Sequence, residues 1–215
     1  KAPHRNWMPD IKHLTMFDSM DLPIPKTFFD NYENRSNAAK QQDMQVVNLY
    51  NSLDMKIHSN DMVEHYSGGN EEFRLKAKEY WEKIYNTLTD EQKNAWDAAY
   101  EPKNNSFIEA NLSGAELAKW KYQRYIKDYL RCVASVDENI GRLLDYLDEN
   151  NLTNNTVIIY TSDQGFYLGE HGWYDKRFMY EESLGIPLLI RYPREIKTKM
   201  SLDQMVLNLD LCPTI

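Results

Sequence analysis

The stretch Thr156-Val-Ile-Ile-Tyr-Thr161 carries no charge, is rich in β-branched side chains, and runs straight into Ser162-Asp-Gln-Gly165. An apolar run of this length predicts a strand covered on both faces, and such strands belong to parallel sheets flanked by helices. In that architecture ligands sit beyond the carboxyl ends of the strands, which is where Asp163 and Gln164 fall. Gly169, Glu170, His171, Gly172 and Lys176 follow closely, so this one segment predicts the lip of a site.

The rest of the chain supplies elements for an α/β core. The spacing of Tyr129, Val133, Val136, Ile140, Leu143, Leu144 and Leu147 by threes and fours predicts a long helix. It opens at the capping pattern Ser113-Gly-Ala-Glu116 and ends near Asn150. A short helix is expected near Tyr180 to Ser183, a second strand at Ile186-Pro-Leu-Leu-Ile-Arg-Tyr192, and a weaker third strand at Met205 to Leu209. Alternation of helix and strand makes a parallel sheet the default. Before this core, residues 31–111 are polar and mostly helical, with a Thr89-Asp-Glu-Gln92 capping box ahead of Trp96, and are expected to form an insertion. Within it, Asn34 to Gln42 and the turn Gly68-Gly69-Asn70 read as loops. Residues 1–30 hold Pro3, Pro9, Pro23 and Pro25, too many for regular structure, and predict an irregular loop laid over a surface. The expected division is therefore a loop over 1–30, an insertion over 31–111 and an α/β core over 112–215.

Length and charge narrow the functions. The chain has 215 residues and 25.5 kDa, enough to bury one good core. It starts at Lys1 and stops at Ile215 where an element is beginning, so it reads as an internal piece of a longer polypeptide, incomplete at both ends. A net charge of -8 without a long basic block excludes a nucleic-acid backbone as partner. No stretch approaches the ~18 apolar residues of a membrane span. Fifteen tyrosines against seven phenylalanines are common where surfaces meet sugars. Cys132, on the apolar side of the long helix, is expected to be a small buried thiol, and with Cys212 it makes no metal-type spacing.

Several residue types suit chemistry. Asp163 and Gln164 offer adjacent hard oxygen donors that fit calcium or magnesium better than zinc, or Asp163 simply caps a turn before Gly165. Lys176 is a compact cation suited to an oxyanion, or a surface lysine. His4, in a proline-stiffened loop between Lys1 and Arg5, is placed to deliver a proton near neutrality, or is a loop histidine without a role. His171 either touches a substrate or hydrogen-bonds within its loop. His13, His58 and His65 have no supporting context.

Together these pieces resemble the formylglycine-dependent sulfatases of the alkaline phosphatase superfamily. The resemblance rests on Ser162 to Gly165, Leu168 to Gly172, Lys176 with Tyr180-Glu181, Ile186 to Pro193 and Asp210 to Ile215, and resumes at the Lys1 to Trp7 opening. It is dense from about Tyr129 onward and thin over 31–111. The opening and the insertion look most like bacterial mucin-desulfating and N-acetylglucosamine-6-sulfatase enzymes. The resemblance implies an alkaline-phosphatase-like α/β fold, here part of a domain, with a parallel sheet flanked by helices. It implies Asp163 and Gln164 as Ca2+ ligands, Lys176 holding the sulfate and His4 protonating the leaving alcohol. Lys1 would be a sulfate contact, and His171, Trp173 and Tyr174 would face the sugar. It further implies a sulfated carbohydrate partner and a periplasmic or secreted location. The family nucleophile, a formylglycine made from a Cys/Ser-x-Pro-x-Arg segment, is missing: neither Cys132-Val-Ala-Ser135 nor Cys212-Pro-Thr-Ile215 fits. The early Asp-Asp metal pair is missing too, and both belong upstream of Lys1 in such enzymes. A phosphodiester or phosphonate hydrolase of the same superfamily, or a non-catalytic carbohydrate-binding domain, is the competing reading.

Overall fold

The computed structural model of the protein describes residues 3–58 and 71–215. Lys1, His65 and the Gly68-Gly69-Asn70 turn lie outside the described residues. In chain order the described elements are α1 (Asn37–Gln41), α2 (Glu71–Tyr85), α3 (Asp90–Ala110), α4 (Gly114–Glu149), β1 (Ile158–Thr161), β2 (Tyr167–Leu168), β3 (Tyr174–Asp175), α5 (Glu181–Leu184), β4 (Leu188–Arg191) and α6 (Asn208–Thr214). They divide into two compact units, Lys1–Asn139 with Tyr167–Asp175, and Ile140–Phe166 with Lys176–Ile215.

The first unit is held by aromatic packing between helices and loops. α3 starts where the sequence places its cap: the Thr89 side chain accepts from Gln92 N at 3.2 Å, and the Gln92 side chain accepts from Thr89 N at 3.0 Å. Its inward face carries Trp96 and Tyr100, stacked with centroids 4.1 Å apart and planes 7° apart, against Leu14 and Ala99. Trp81 of α2 closes on Trp96 at 4.9 Å. Burial of each such ring contributes about 2–3 kcal/mol, which offsets the cost of ordering a polar, helix-rich segment. Asn34 to Gln42, expected as loop, contains α1, because Ser36 caps Ala39 N with its hydroxyl at 3.3 Å.

A ladder of charges runs beneath this packing. Asp128 of α4 accepts from Arg124 Nε at 3.1 Å, Arg131 Nη1 at 2.8 Å and the Tyr100 hydroxyl at 2.7 Å, all buried. Lys56 is buried and donates to the carbonyls of Trp7 and Asp54 at 2.9 and 3.1 Å. Cys132 is the buried thiol expected from the sequence. Burial first, then Asp128, pushes that thiol up to about 12, so it stays protonated and inert at neutral pH.

In the second unit, β1 and β4 pair antiparallel with Ile159 opposite Ile190 and Tyr160 opposite Leu189. This corrects the parallel default for the expected strand pair. A parallel return needs a right-handed crossover built on a real helix, whereas the second unit's segments between these strands hold only the single turn α5, which brings the chain back alongside β1. The ribbon's faces are also partly open, Tyr160 of β1 being 41% exposed, where the uncharged run predicted cover on both sides. The expected third strand at Met205 to Leu209 is absent. Asp210 accepts from Leu207 N at 2.8 Å and starts α6 at Asn208 instead.

Candidate functional site

Asp163, Gln164 and Lys176 belong to the second unit. β1 ends at Thr161, so the two oxygen donors sit just past the strand end, after Ser162, with Asp163 exposed and Gln164 half-buried. The loop that carries them is built tightly. Ser162 Oγ donates to Gln164 O at 2.7 Å, and Asn208 Nδ2, at the first turn of α6, donates to the carbonyls of Ser162 and Asp163 at 3.3 and 3.4 Å. Gly165 N donates to Ser183 O at 2.9 Å. A Cβ at Gly165 would lie 2.2 Å from Glu182 O and 2.7 Å from Gly185 O, so the loop can approach α5 this closely only with glycine. Gly165→Ala is expected to push the loop off α5, costing about 2–3 kcal/mol. Urea unfolding of the full-length protein measures it; an unchanged midpoint would show that the approach is not a constraint.

Lys176 is half-buried, its ammonium 5.5 Å from the centre of the Phe166 ring, two residues beyond Gln164. The loop after β1 and this cation are thus joined through Phe166. The donor pair consists of oxygens alone, the chemistry hard cations take; calcium gathers six to eight of them, so these two residues fit part of its shell. Among the described residues no three His, Cys, Asp or Glu side chains gather as a metal cluster.

His4, His171, Trp173 and Tyr174 belong to the first unit. His4 is exposed while its neighbours are anchored. On one side the buried Trp7 indole donates to Pro3 O at 2.8 Å. On the other, Arg5 forms a two-pronged pair with Asp54 at 2.6 and 2.7 Å, with its guanidinium between the rings of Tyr50 and Tyr174 at 5.4 and 5.2 Å. A loop pinned at both shoulders presents its histidine to solvent in a defined direction.

His171 lies in a left-handed turn (φ 56°) between Gly169 and Gly172 and is buried. Its Nδ1 is 2.9 Å from Asp30 Oδ2, its backbone N–H donates to Thr27 Oγ1 at 3.1 Å, and its carbonyl accepts from the Tyr32 hydroxyl at 2.5 Å. The Asp30 carboxyl is held below its ordinary range, first by Tyr32 N–H, then by His171 and Arg35. Of the two readings left open for His171, hydrogen bonding within the fold is what these contacts supply. Trp173, expected to face a sugar, is 0% exposed, stacked on Tyr32 at 5.5 Å and edge-on to Tyr167 at 5.3 Å. Tyr174 is buried against Arg5. Both rings are interior, Trp173 packed between Tyr32 and Tyr167 and Tyr174 against the Arg5 guanidinium. Gly172 makes the turn at His171 possible: it has φ 71°, and a Cβ there would meet Phe28 O at 2.6 Å.

Asp30, Thr27, Arg35, Asp54 and Arg5 join this arrangement only through the fold. Asp30 stands 141 residues from His171 and Arg5 stands 49 from Asp54, so no local spacing links them. The Arg124, Asp128, Arg131 spacing is the one signal that was there to find, because i, i+4 and i, i+3 steps place opposite charges on one helix face.

The second unit thus carries a strand-end loop with two oxygen donors and a half-buried lysine, and the first an exposed histidine on an anchored loop. The sulfatase family model matches residues 16–215, and the chain belongs to the sulfatase family. It is 44% identical over its full 215 residues to the N-acetylglucosamine-6-O-sulfatase of Bacteroides thetaiotaomicron, covering 37% of that protein. It is 36% identical over 115 residues to the human N-acetylglucosamine-6-sulfatase, 53% of this chain and 19% of that one. A solved structure described as a complex with its substrate, D-glucosamine-2-N,6-O-disulfate, superposes with a TM-score of 0.76 at 45% identity, over 91% of this chain and 38% of that one. The chain therefore spans little more than a third of the length of the relatives it matches over its full extent.

Proposed function

We propose that this chain is part of an enzyme that hydrolyses a sulfate ester on a sugar, with 6-sulfated N-acetylglucosamine of a mucin or glycosaminoglycan as the substrate class. The observation that carries this reading is the 44% identity along all 215 residues to an N-acetylglucosamine-6-O-sulfatase. The periplasmic or secreted location rests on the family resemblance.

In this reading Asp163 and Gln164 direct oxygens at calcium, which when bound supplies positive charge to a sulfate and to the group that attacks it. Lys176 neutralises sulfate oxygens as the S–O bond lengthens, a role for which three N–H donors on a partly desolvated ammonium are suited. Lys1, outside the described residues, is assigned to the same anion. His4 gives a proton to the departing sugar oxygen, which as an alkoxide is a poor leaving group. Its exposed ring on an anchored loop supports that task. His171, held by Asp30, orients the turn that carries Trp173 and Tyr174. The formylglycine nucleophile is not assigned to either cysteine here: Cys132 is buried and held protonated, and Cys212 lacks the required motif.

Sulfate release by the full-length protein across sulfated monosaccharides tests the proposal; release from 6-sulfated N-acetylglucosamine is expected, and none from any sulfated sugar would end it. In the same protein His4→Ala is expected to lower kcat by about 10²–10³ on alkyl sulfates and by far less on aryl sulfates, whose leaving groups need little protonation. Equal losses on both would remove His4 from the acid role.

A further inference from the structure

The loop that carries His4 is seated on one short stretch, residues 50–57, within the polar segment expected as an insertion. Asp54 takes Arg5 with both carboxylate oxygens, Nε at 2.6 Å and Nη2 at 2.7 Å, and also accepts from Tyr50 N at 2.8 Å. Two residues on, Lys56 donates to Trp7 O at 2.9 Å, while the Trp7 indole reaches back to Pro3 O. Residues on both sides of His4 are thereby held. Between Arg5 and Trp7 the chain turns at Asn6 in the left-handed region (φ 73°), which asparagine enters more readily than most residues. The stretch 50–57 is itself rooted on the long helices: Arg124 Nη2 of α4 donates to Met55 O at 2.9 Å, and Asn104 Nδ2 of α3 to Lys56 O at 3.2 Å. The Asp54 side chain is 0% exposed and that of Arg5 26%. A buried ion pair adds little stability over an apolar pair of the same size, so its use here points to fixing one geometry. A two-pronged guanidinium pair sets the plane of the group as well as its position, and the rings of Tyr50 and Tyr174 flank it at 5.4 and 5.2 Å. His4 stands one residue away, its imidazole in solvent on a backbone that can swing only by breaking this pair.

We propose that Arg5 and Asp54 are positioning residues that aim the His4 imidazole at the departing oxygen, so that residues 50–57 serve the active site and do not merely decorate the core. This rests on the reading of His4 as the general acid. Proton donation accelerates a reaction only when donor and acceptor are held within hydrogen-bond reach, and a displacement of about 1 Å can cost ~10²-fold.

Steady-state kinetics of the full-length protein on 6-sulfated N-acetylglucosamine, an alkyl sulfate, and on an aryl sulfate test it, with Arg5→Met, Arg5→Lys, His4→Ala and the double variant His4→Ala/Arg5→Met. Arg5→Met is expected to lower kcat on the alkyl sulfate by about 10²-fold with KM unchanged, and on the aryl sulfate by less than about three-fold. Arg5→Lys, which keeps the charge beside Asp54 but not the fork, should recover about ten-fold of that loss. Because Arg5 acts through His4, the double variant should be no slower than His4→Ala alone. A merely structural pair predicts the opposite: losses of the same size on both sulfates, and a further drop on top of His4→Ala, either of which overturns the proposal. Should Arg5→Met fail to fold by its melting curve, Arg5→Lys decides, a selective loss of about ten-fold supporting the positioning role and wild-type kinetics ending it. The two readings separate in His4→Ala: a loss confined to the alkyl sulfate there, beside unselective losses in the Arg5 variants, removes the pair and leaves the acid, whereas an unselective loss in His4→Ala itself removes both.

Discussion

Asp128→Ala is expected to lower the unfolding free energy by about 3–5 kcal/mol, the cost of removing one partner from a buried ion network. Asp128 is the common acceptor for Arg124, Arg131 and Tyr100, and the removal leaves two guanidinium groups facing each other in the interior with Lys56 nearby. The loss comes from those stranded charges and not from the worth of the pairs, so a triple variant replacing Arg124, Asp128 and Arg131 with methionine, leucine and methionine should recover most of it. Equilibrium urea unfolding of the full-length protein reads both. A single substitution within 1 kcal/mol of wild type would show that water reaches the network and screens it.

The same carboxylate sets a pH dependence. Burial raises its pKa, but Arg124, Lys56 and Arg131 outweigh burial and hold it below the ordinary range. Because the folded value lies below the unfolded value of ~3.9, the contribution is complete above that unfolded value. It is lost as pH falls through the depressed folded one. Acid unfolding of Asp128→Asn should therefore be shallower than that of wild type below pH ~4.

Asp163→Ala in the full-length protein is expected to cost about 10³-fold or more in kcat/KM on the sulfated sugar and to abolish the response to added calcium after chelation. Asp163 is the charged member of the donor pair, and an amide oxygen alone, Gln164, holds a divalent cation weakly. A metal ion stabilising transition-state charge supplies several kcal/mol, and ~4 kcal/mol is the stated factor. Gln164, fixed by Gly165 and Ser162, should stay in place, so Asp163→Asn is expected to retain part of the response. Calcium calorimetry on the chelated protein separates a metal defect from a folding defect. An unchanged calcium titration would remove Asp163 from the metal site.

How much of this was legible follows the distance over which each feature is determined. α4 and the capping box of α3 were readable because periodicity of 3.6 and side-chain caps act within four residues. β1 and β4 were readable as strands for the same local reason, and the run at Asp163 and Lys176 announced its chemistry through residue types and spacing. The strand expected at Met205 to Leu209 gives way to the start of α6 at Asn208, because a single capping carboxylate, Asp210, acts back on Leu207 where the apolar residues suggested extension.

Local sequence thus determined which segments are helical or extended, where the oxygen donors and the cation stand along the chain, and the family to which it belongs. Tertiary structure alone decided that β1 and β4 run antiparallel, that His171 is gripped by Asp30, that Trp173 is interior, and that Arg124 and Asp128 are buried. The physical reason is that hydrogen-bond register and desolvation are pairwise properties of residues tens to hundreds of positions apart. A helix face of Arg, Asp and Arg looks the same on paper whether water or the Trp96 and Tyr100 stack lies over it.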